Sequence, residues 1–276
     1  MTATTVEMIL AELASSQRAV PETLNIYKHE RHEPLWRSDP RLHRAFAKKL
    51  IDGNHLNRAY ELVRDGLQEG FHSGDLRLKY LAALALARSG NVSKATALAD
   101  ELLASPGVDD AQKCDALSLK GRLQKDLYQR TGDAAHASKS ADFYQEAFAL
   151  SNDWFPGINT ATMSLLAGDA VRAAQIAATV IELAAGDLNK PGGDRDYWLA
   201  ATLGEAHMIR GELKKAREFY EQAVRIALEA QDEGNVASMR RQVQLVAKKL
   251  LAAESLLGIF HLGNIVVFAG HLLDHP

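Results

Sequence analysis

A single cysteine, Cys114, occurs in 276 residues. One thiol excludes an internal disulfide and suits a reducing compartment, so a cytoplasmic protein is expected. Cys114 lies in DDAQKCDALSLKGRL with no base beside it. It therefore reads as a small core residue rather than a catalytic thiolate. Proline is scarce, with seven in the chain, which removes helix breakers and favours helix. No charge of one sign dominates: 32 basic against 35 acidic residues leave a formal net charge of -3. That balance excludes bulk attraction to nucleic acid or to an anionic membrane. The basic pairs Arg240–Arg241 and Lys248–Lys249 read as solvated helix faces. Long hydrophobic runs are missing too. The most apolar stretch, SLLGIFHLGNIVVFAGHLL, is broken by His261, Gly263, Asn264 and Gly270, so no membrane span is expected. The N-terminus, MTATTVEMILAELASS, has no basic region before its apolar residues and is not a secretory signal; Val6, Ile9, Leu10 and Leu13 mark a helical face instead.

The motifs of catalysis are absent as well. There is no GxSxG. The glycine-rich NKPGGDRDYW lacks the lysine and hydroxyl of a phosphate loop and reads as a surface turn in which Asp194 or Asp196 caps the next helix. His29 and His32 in YKHERHEPLW are three apart, not four as in HExxH, and no third ligand accompanies them. The acidic residues are scattered along helices at charge-pairing spacing, and no two stand out as an acid/base pair. No catalytic residue, metal site or cofactor is expected.

What the chain does have is a repeat. In YWLAATLGEAHMIRGELKKAREFYEQAVRIAL, Gly211 follows Gly204 by seven residues, and Ala216 follows Gly211 by five. Tyr220 comes four later and Ala223 three after that. Two antiparallel helices cross closely only where Gly or Ala lets their backbones approach, and Gly211 suits the left-handed turn after the first helix. Ala83–Gly90–Ala95, Ala161–Gly168–Ala173 and Ala47–Asn54–Ala59 keep the same seven-and-five spacing. One unit departs. After Gly121, YQRTGDAAHA intervenes before Ser140, Tyr144 and Ala147 restore the pattern, which predicts a longer first helix or a longer turn. Gly66 stands where Ala is usual, so the first repeat is less regular. Pro156–Gly157 belongs to the start of a helix, where the missing N–H of Pro156 is tolerated, with Trp154 and Phe155 stapling that start to a neighbour.

This spacing resembles the tetratricopeptide repeat and predicts an all-α fold: a right-handed superhelical solenoid of about five helix pairs, with a short strand-like C-terminal tail. GRLQKDLYQ and DFYQEAFALSNDWFPGINTATMSLLAGD carry a narrower resemblance, to the helical region of the MAP kinase kinase kinase TRAF-binding domain family and its bacterial relatives. The matching residues are Gly121–Arg122, Lys125–Asp126, Ala147–Phe148, Gly157–Ile158–Asn159 and Leu165–Leu166–Ala167–Gly168. The resemblance covers roughly residues 40 to 255. It implies a non-catalytic module that binds protein partners and regulates an attached effector. No kinase segment is present, so kinase activity is not implied. Arg122, Lys125, Asp126 and Asn159 either form a buried polar network that fixes helix register or contact a ligand.

First helices of such repeats line the concave face. That places Lys79, Tyr80, Lys120, Asn159, Trp198 and Glu205 in the expected protein-binding groove; the Lys/Asn pattern for C-terminal carboxylates is not reproduced. EGNVASMRRQVQLVAKKLLAAES reads as a capping helix from Asn235 to Ser255. Beyond it, Ile265–Phe268 form an apolar run like a buried parallel strand. It reads either as the start of an α/β effector domain that continues in a longer chain or as an apolar tail packed on the solenoid. The expected organisation is a helical segment over 1–38, the solenoid with its cap over 39–258, and the tail over 259–276. The expected function is a regulatory or scaffold module in signalling that binds protein and neither nucleic acid nor membrane. The alternative is the N-terminal part of an enzyme whose catalytic domain follows.

Overall fold

The computed structural model describes residues 4–15, 19–28, 32–68, 71–188, 190, 192, 196–260, 267–268 and 271–272. They fall into two compact units, Met1–Leu119 and Lys120–Pro276. His29, Asp194 and the run 261–266 lie outside the described residues.

The first unit opens with α1 (Val6–Ser15), α2 (Val20–Tyr27) and α3 (Glu33–Ser38), all packed against α4 (Pro40–Asp52). Val6, Ile9 and Leu13 form the buried stripe of α1. Trp36 is the anchor: its indole N–H donates to the Tyr27 carbonyl at 2.9 Å, and its ring meets His43 at 4.8 Å and Phe46 at 5.5 Å. His32 is buried with its ring 5.5 Å from that of Tyr27. Two helix pairs follow, α4 with α5 (Leu56–Gly66) and α6 (Leu76–Arg88) with α7 (Val92–Leu103). Their turns are the ones the spacing predicts. Asn54 has φ 59° and Gly90 has φ 84°, while Ala47, Ala59 and Ala95 are completely buried at the crossings.

The irregular Gly66 has a local cause. A Cβ placed on it would lie 2.7 Å from the His43 ring. In the regular Tyr197–Leu228 repeat, the positions of His43 and Gly66 hold Ala200 and Ala223. A larger residue on the first helix is thus matched by a smaller one on the second. Burial pushes the His43 imidazole down to about 4, helped by the neighbouring His72 and Lys28 and opposed by Asp65 and Asp75. Its Nδ1 has no hydrogen-bond partner. Because the folded pKa lies below the unfolded value, neutral His43 contributes its full stability above about pH 6.5. That contribution is lost as pH falls from there to about 4. The expected loss over this window is about 3 kcal/mol. Urea unfolding of wild type and His43→Gln at pH 7 and pH 4.5 tests this. The wild type should show the larger acid-induced loss, and equal losses would contradict the assignment.

α8 (Asp110–Thr131) begins in the first unit and runs into the second. Cys114 is a free, partly buried thiol on it. The second unit continues with α9 (Ala134–Ser151), α10 (Trp154–Ala167), α11 (Ala170–Leu188), α12 (Tyr197–Ile209), α13 (Leu213–Glu229) and α14 (Glu233–Ala247). The departing repeat has the longer helix, not a longer turn: α8 has 22 residues and α9 has 18. Gly132, at φ 72°, still makes the left-handed turn between them. Three glycines of this unit admit a neighbouring side chain. A Cβ on Gly121 would lie 2.7 Å from the Tyr144 ring, one on Gly204 would lie 3.0 Å from the Tyr220 ring, and one on Gly157 would lie 2.8 Å from Val180. Ser140 Oγ also donates to the Gly121 carbonyl at 2.7 Å.

Asp133, Asp153, Asp196 and Asp232 cap α9, α10, α12 and α14 by accepting backbone N–H bonds. Pro156 sits in the first turn of α10, as expected. Trp154 donates to Asp187 Oδ2 at 2.9 Å, so it ties the helix start to α11. Phe155 does not share that role; it is 48% exposed.

Three C-terminal features differ from expectation. The α-helix of the cap ends at Ala247, and a 3₁₀ segment, Leu251–Ile259, follows. Its buried residues Ala253, Leu256 and Ile259 recur every three positions, which is the 3₁₀ period and not the α period. Phe260 then closes over the Tyr220 ring at 5.4 Å. Next, Arg240–Arg241 is not a solvated face. Both residues are partly buried, and Arg240 Nε has no partner, whereas Lys248 and Lys249 are exposed. Finally, Val267–Phe268 pairs with His271–Leu272 as a two-residue antiparallel ladder rather than a parallel strand. A parallel pair needs a crossover of about a dozen residues or more, which segments so close in sequence do not have.

Candidate protein-binding site

The site is built from residues of the second unit alone. α8, α10 and α12 are the first helices of its three pairs. α14 packs on α13 and also reaches α10 and α12. Its placement explains the partly buried Arg240 and Arg241: the inward side of α14 faces other helices, not water.

On α10, Asn159 and Thr162 are three apart and share a face. On α12, Glu205 follows Gly204. Gly204 faces Tyr220 of α13, so the next residue is turned away from that crossing. Glu205 is 8% exposed, and its Oε1 accepts from the Thr162 hydroxyl and from Gln242 Nε2, the latter at 2.7 Å. Lys125 of α8 donates through Nζ to Gln242 Oε1 at 3.0 Å and to Asn159 Oδ1 at 3.3 Å. Asn159 Nδ2 donates to the Phe155 carbonyl at 3.0 Å, which fixes its amide orientation. The carboxamide of Gln242 therefore bridges an ammonium and a carboxylate.

Burial dominates the electrostatics. It pushes the Glu205 carboxyl up, against the pull of Lys125 and of its hydrogen bonds to Thr162 and Gln242. Burial likewise pushes the Lys125 ammonium down, against Glu205 and Asp126. Beside this slot lies an apolar one. Leu245, three residues after Gln242, is 4% exposed in a cluster with Tyr128 of α8 and Met163 and Leu166 of α10. At the slot's edge Arg122 approaches Asp126 at 4.0 Å, and both lie close enough to the partly buried Arg241 to shift it.

The structure brings together Asn159 and Glu205 of the residues expected in a groove. Lys120 stands apart from the slot, its Nζ 4.3 Å from the Phe143 ring centroid. Trp198 is 49% exposed at the start of α12, with its ring 4.6 Å from that of Tyr197. Lys79 and Tyr80 lie on α6 in the first unit, where the Arg77 guanidinium sits 4.8 Å above the Tyr80 ring. Of the four residues whose sequence pattern left network and ligand contact open, Lys125 and Asn159 bond directly, and Arg122 with Asp126 makes an adjacent ion pair. Thr162 and Gln242 escaped sequence reasoning. The available signal for Gln242 was a polar side chain inside the otherwise apolar stripe of Met239, Val243 and Val246.

The family model described as Tetratricopeptide Repeats-Sensor matches residues 55–164. No curated protein matches the chain in sequence. Among solved structures, the APC/C hetero-tetramer Cut9–Hcn1 is similar at 13% identity and a TM-score of 0.53, covering 92% of this chain and 45% of that one. This chain thus spans less than half the length of that protein. A Podosopora anserina putative kinesin light chain with TPR-like repeats is 16% identical with a TM-score of 0.46, covering 69% of this chain and 95% of that one. A tetratricopeptide repeat protein from Parabacteroides merdae ATCC 43184 is 11% identical with a TM-score of 0.45, covering 91% and 93%. At such identities the likeness to Cut9–Hcn1 shows the fold alone: an all-α solenoid of helix pairs. Among the described residues, no helix is long and apolar enough to cross a membrane.

Proposed function

We propose that this chain is a non-catalytic protein-binding module, a scaffold or regulatory part of a signalling or effector protein. One observation carries the reading. The face made by α8, α10 and α12 already holds a protein helix, α14, through both polar and apolar contacts. A surface with this chemistry is suited to helices. The resemblance of GRLQKDLYQ and its neighbours to the MAP kinase kinase kinase TRAF-binding domain family supports a regulatory setting. There an effector domain in a longer chain is a further expected partner. Affinity capture from host extract followed by cross-linking mass spectrometry tests the proposal. Wild type should hold a defined partner cross-linked to this face. Glu205→Arg, shown by circular dichroism to remain helical, should lose it. Identical capture by both chains would contradict the proposal.

A further inference from the structure

We propose that the slot formed by Lys125, Asn159, Thr162 and Glu205 is a recognition site for a side-chain carboxamide carried on a helix. Gln242 of α14 fills it in this chain, and a protein partner enters by presenting its own Gln-x-x-Leu helix in place of α14. The inference rests on the protein-binding reading and names the partner's chemistry.

The slot's selectivity follows from its two charges. Lys125 offers a donor, so it needs an acceptor; Glu205 is an acceptor, so it needs a donor. A partner carboxylate would satisfy Lys125 and repel Glu205. A partner ammonium would do the reverse. A primary carboxamide carries an acceptor oxygen and a donor nitrogen on one planar centre, and it adds no net charge to a buried site. Gln242 uses both atoms in that way, at 3.0 Å and 2.7 Å. The second element of recognition is Leu245, one helical turn on, seated among Tyr128, Met163 and Leu166. The motif is therefore a carboxamide and a leucine three residues apart on one helix face.

Two observations mark α14 as an exchangeable occupant. Arg240 Nε is buried on it without a hydrogen-bond partner. The connection from α13 turns at Gln231, a non-glycine residue at φ 56°, where the regular repeat turns use Gly168 and Gly211. The cis helix thus keeps unfavourable features that a partner helix need not have. An empty slot would leave Lys125 and Glu205 without the Gln242 bridge. Exchange of one carboxamide for another avoids that state, so α14 leaves as the partner arrives.

The test uses a fluorescein-labelled peptide with the sequence of residues 232–250 and the full chain. In wild type, tethered α14 competes at high effective concentration, so the peptide should bind weakly. The Gln242→Ala chain should bind it at least tenfold more tightly. Replacing the peptide's glutamine or leucine by alanine should weaken binding at least tenfold. Hydrogen exchange of wild type with saturating peptide should speed up over α14 and stay unchanged over α12. A peptide series indifferent to the glutamine would overturn the proposal. So would absence of binding to a Gln242→Ala chain that still melts cooperatively. If that variant does not fold, the peptide series against wild type decides alone. Partner capture that persists while the peptide fails removes the carboxamide reading and leaves the protein-binding one; loss of both removes both.

Discussion

Lys125→Met is expected to lower the free energy of unfolding by about 3–5 kcal/mol, and adding Glu205→Gln to recover most of that loss. The single substitution takes away a cation that opposes the effect of burial on the Glu205 carboxylate, and it leaves Gln242 Oε1 and Asn159 Oδ1 without their donor. The second substitution removes the stranded charge while keeping an oxygen to accept from Thr162 and Gln242. Urea denaturation of both single variants and the double variant measures the effect. Simple addition of the two single losses would show that Lys125 and Glu205 do not share a site.

The second large effect lies at a helix crossing. Gly204→Leu places a side chain where even a Cβ would sit 3.0 Å from the Tyr220 ring. Tyr220 is 1% exposed and held between Gly204 and Phe260, so it has no free direction in which to yield. A loss of about 3 kcal/mol is expected, at the upper end for overpacked cores. Gly186→Ala is the control. Gly186 lies in α11, a Cβ there meets nothing within 4 Å, and the change should stabilise by about 0.5–1 kcal/mol. Chemical-denaturation midpoints give both values. A Gly204→Leu midpoint equal to that of wild type would show the repeat register to be wrong.

These crossings are also the part of the fold that sequence reveals best. Gly204, Ala161 and Ala83 each stand twelve residues before Ala216, Ala173 and Ala95 because a close helix crossing constrains residue size at each point. Size is visible in a sequence. The left-handed turns at Asn54, Gly90, Gly168 and Gly211 are visible for the same reason. The slot was half legible. Lys125 and Asn159 stood out within a resemblance, and Glu205 stood out by register. Gln242 did not, because its partners, Lys125 and Glu205, lie on two helices distant in sequence and nothing local to α14 records where it docks. The local pattern instead favoured an outward Arg240–Arg241 pair and a cap running to Ser255. A period of three at Ala253, Leu256 and Ile259 is too short a signal to separate 3₁₀ from α by eye. Phe155 reads as a staple by its neighbourhood, but only Trp154 has a partner to reach, Asp187.

The central claim is that α14 is seated in the slot through Gln242. A double-mutant cycle between Glu205→Ala and Gln242→Ala in the full chain measures it most directly, since effects confined to one residue cancel. The account predicts a coupling energy of about 1.5–3 kcal/mol, the value of a hydrogen bond to a charged group. A coupling indistinguishable from zero would mean that α14 does not occupy the face made by α8, α10 and α12, and would contradict the account.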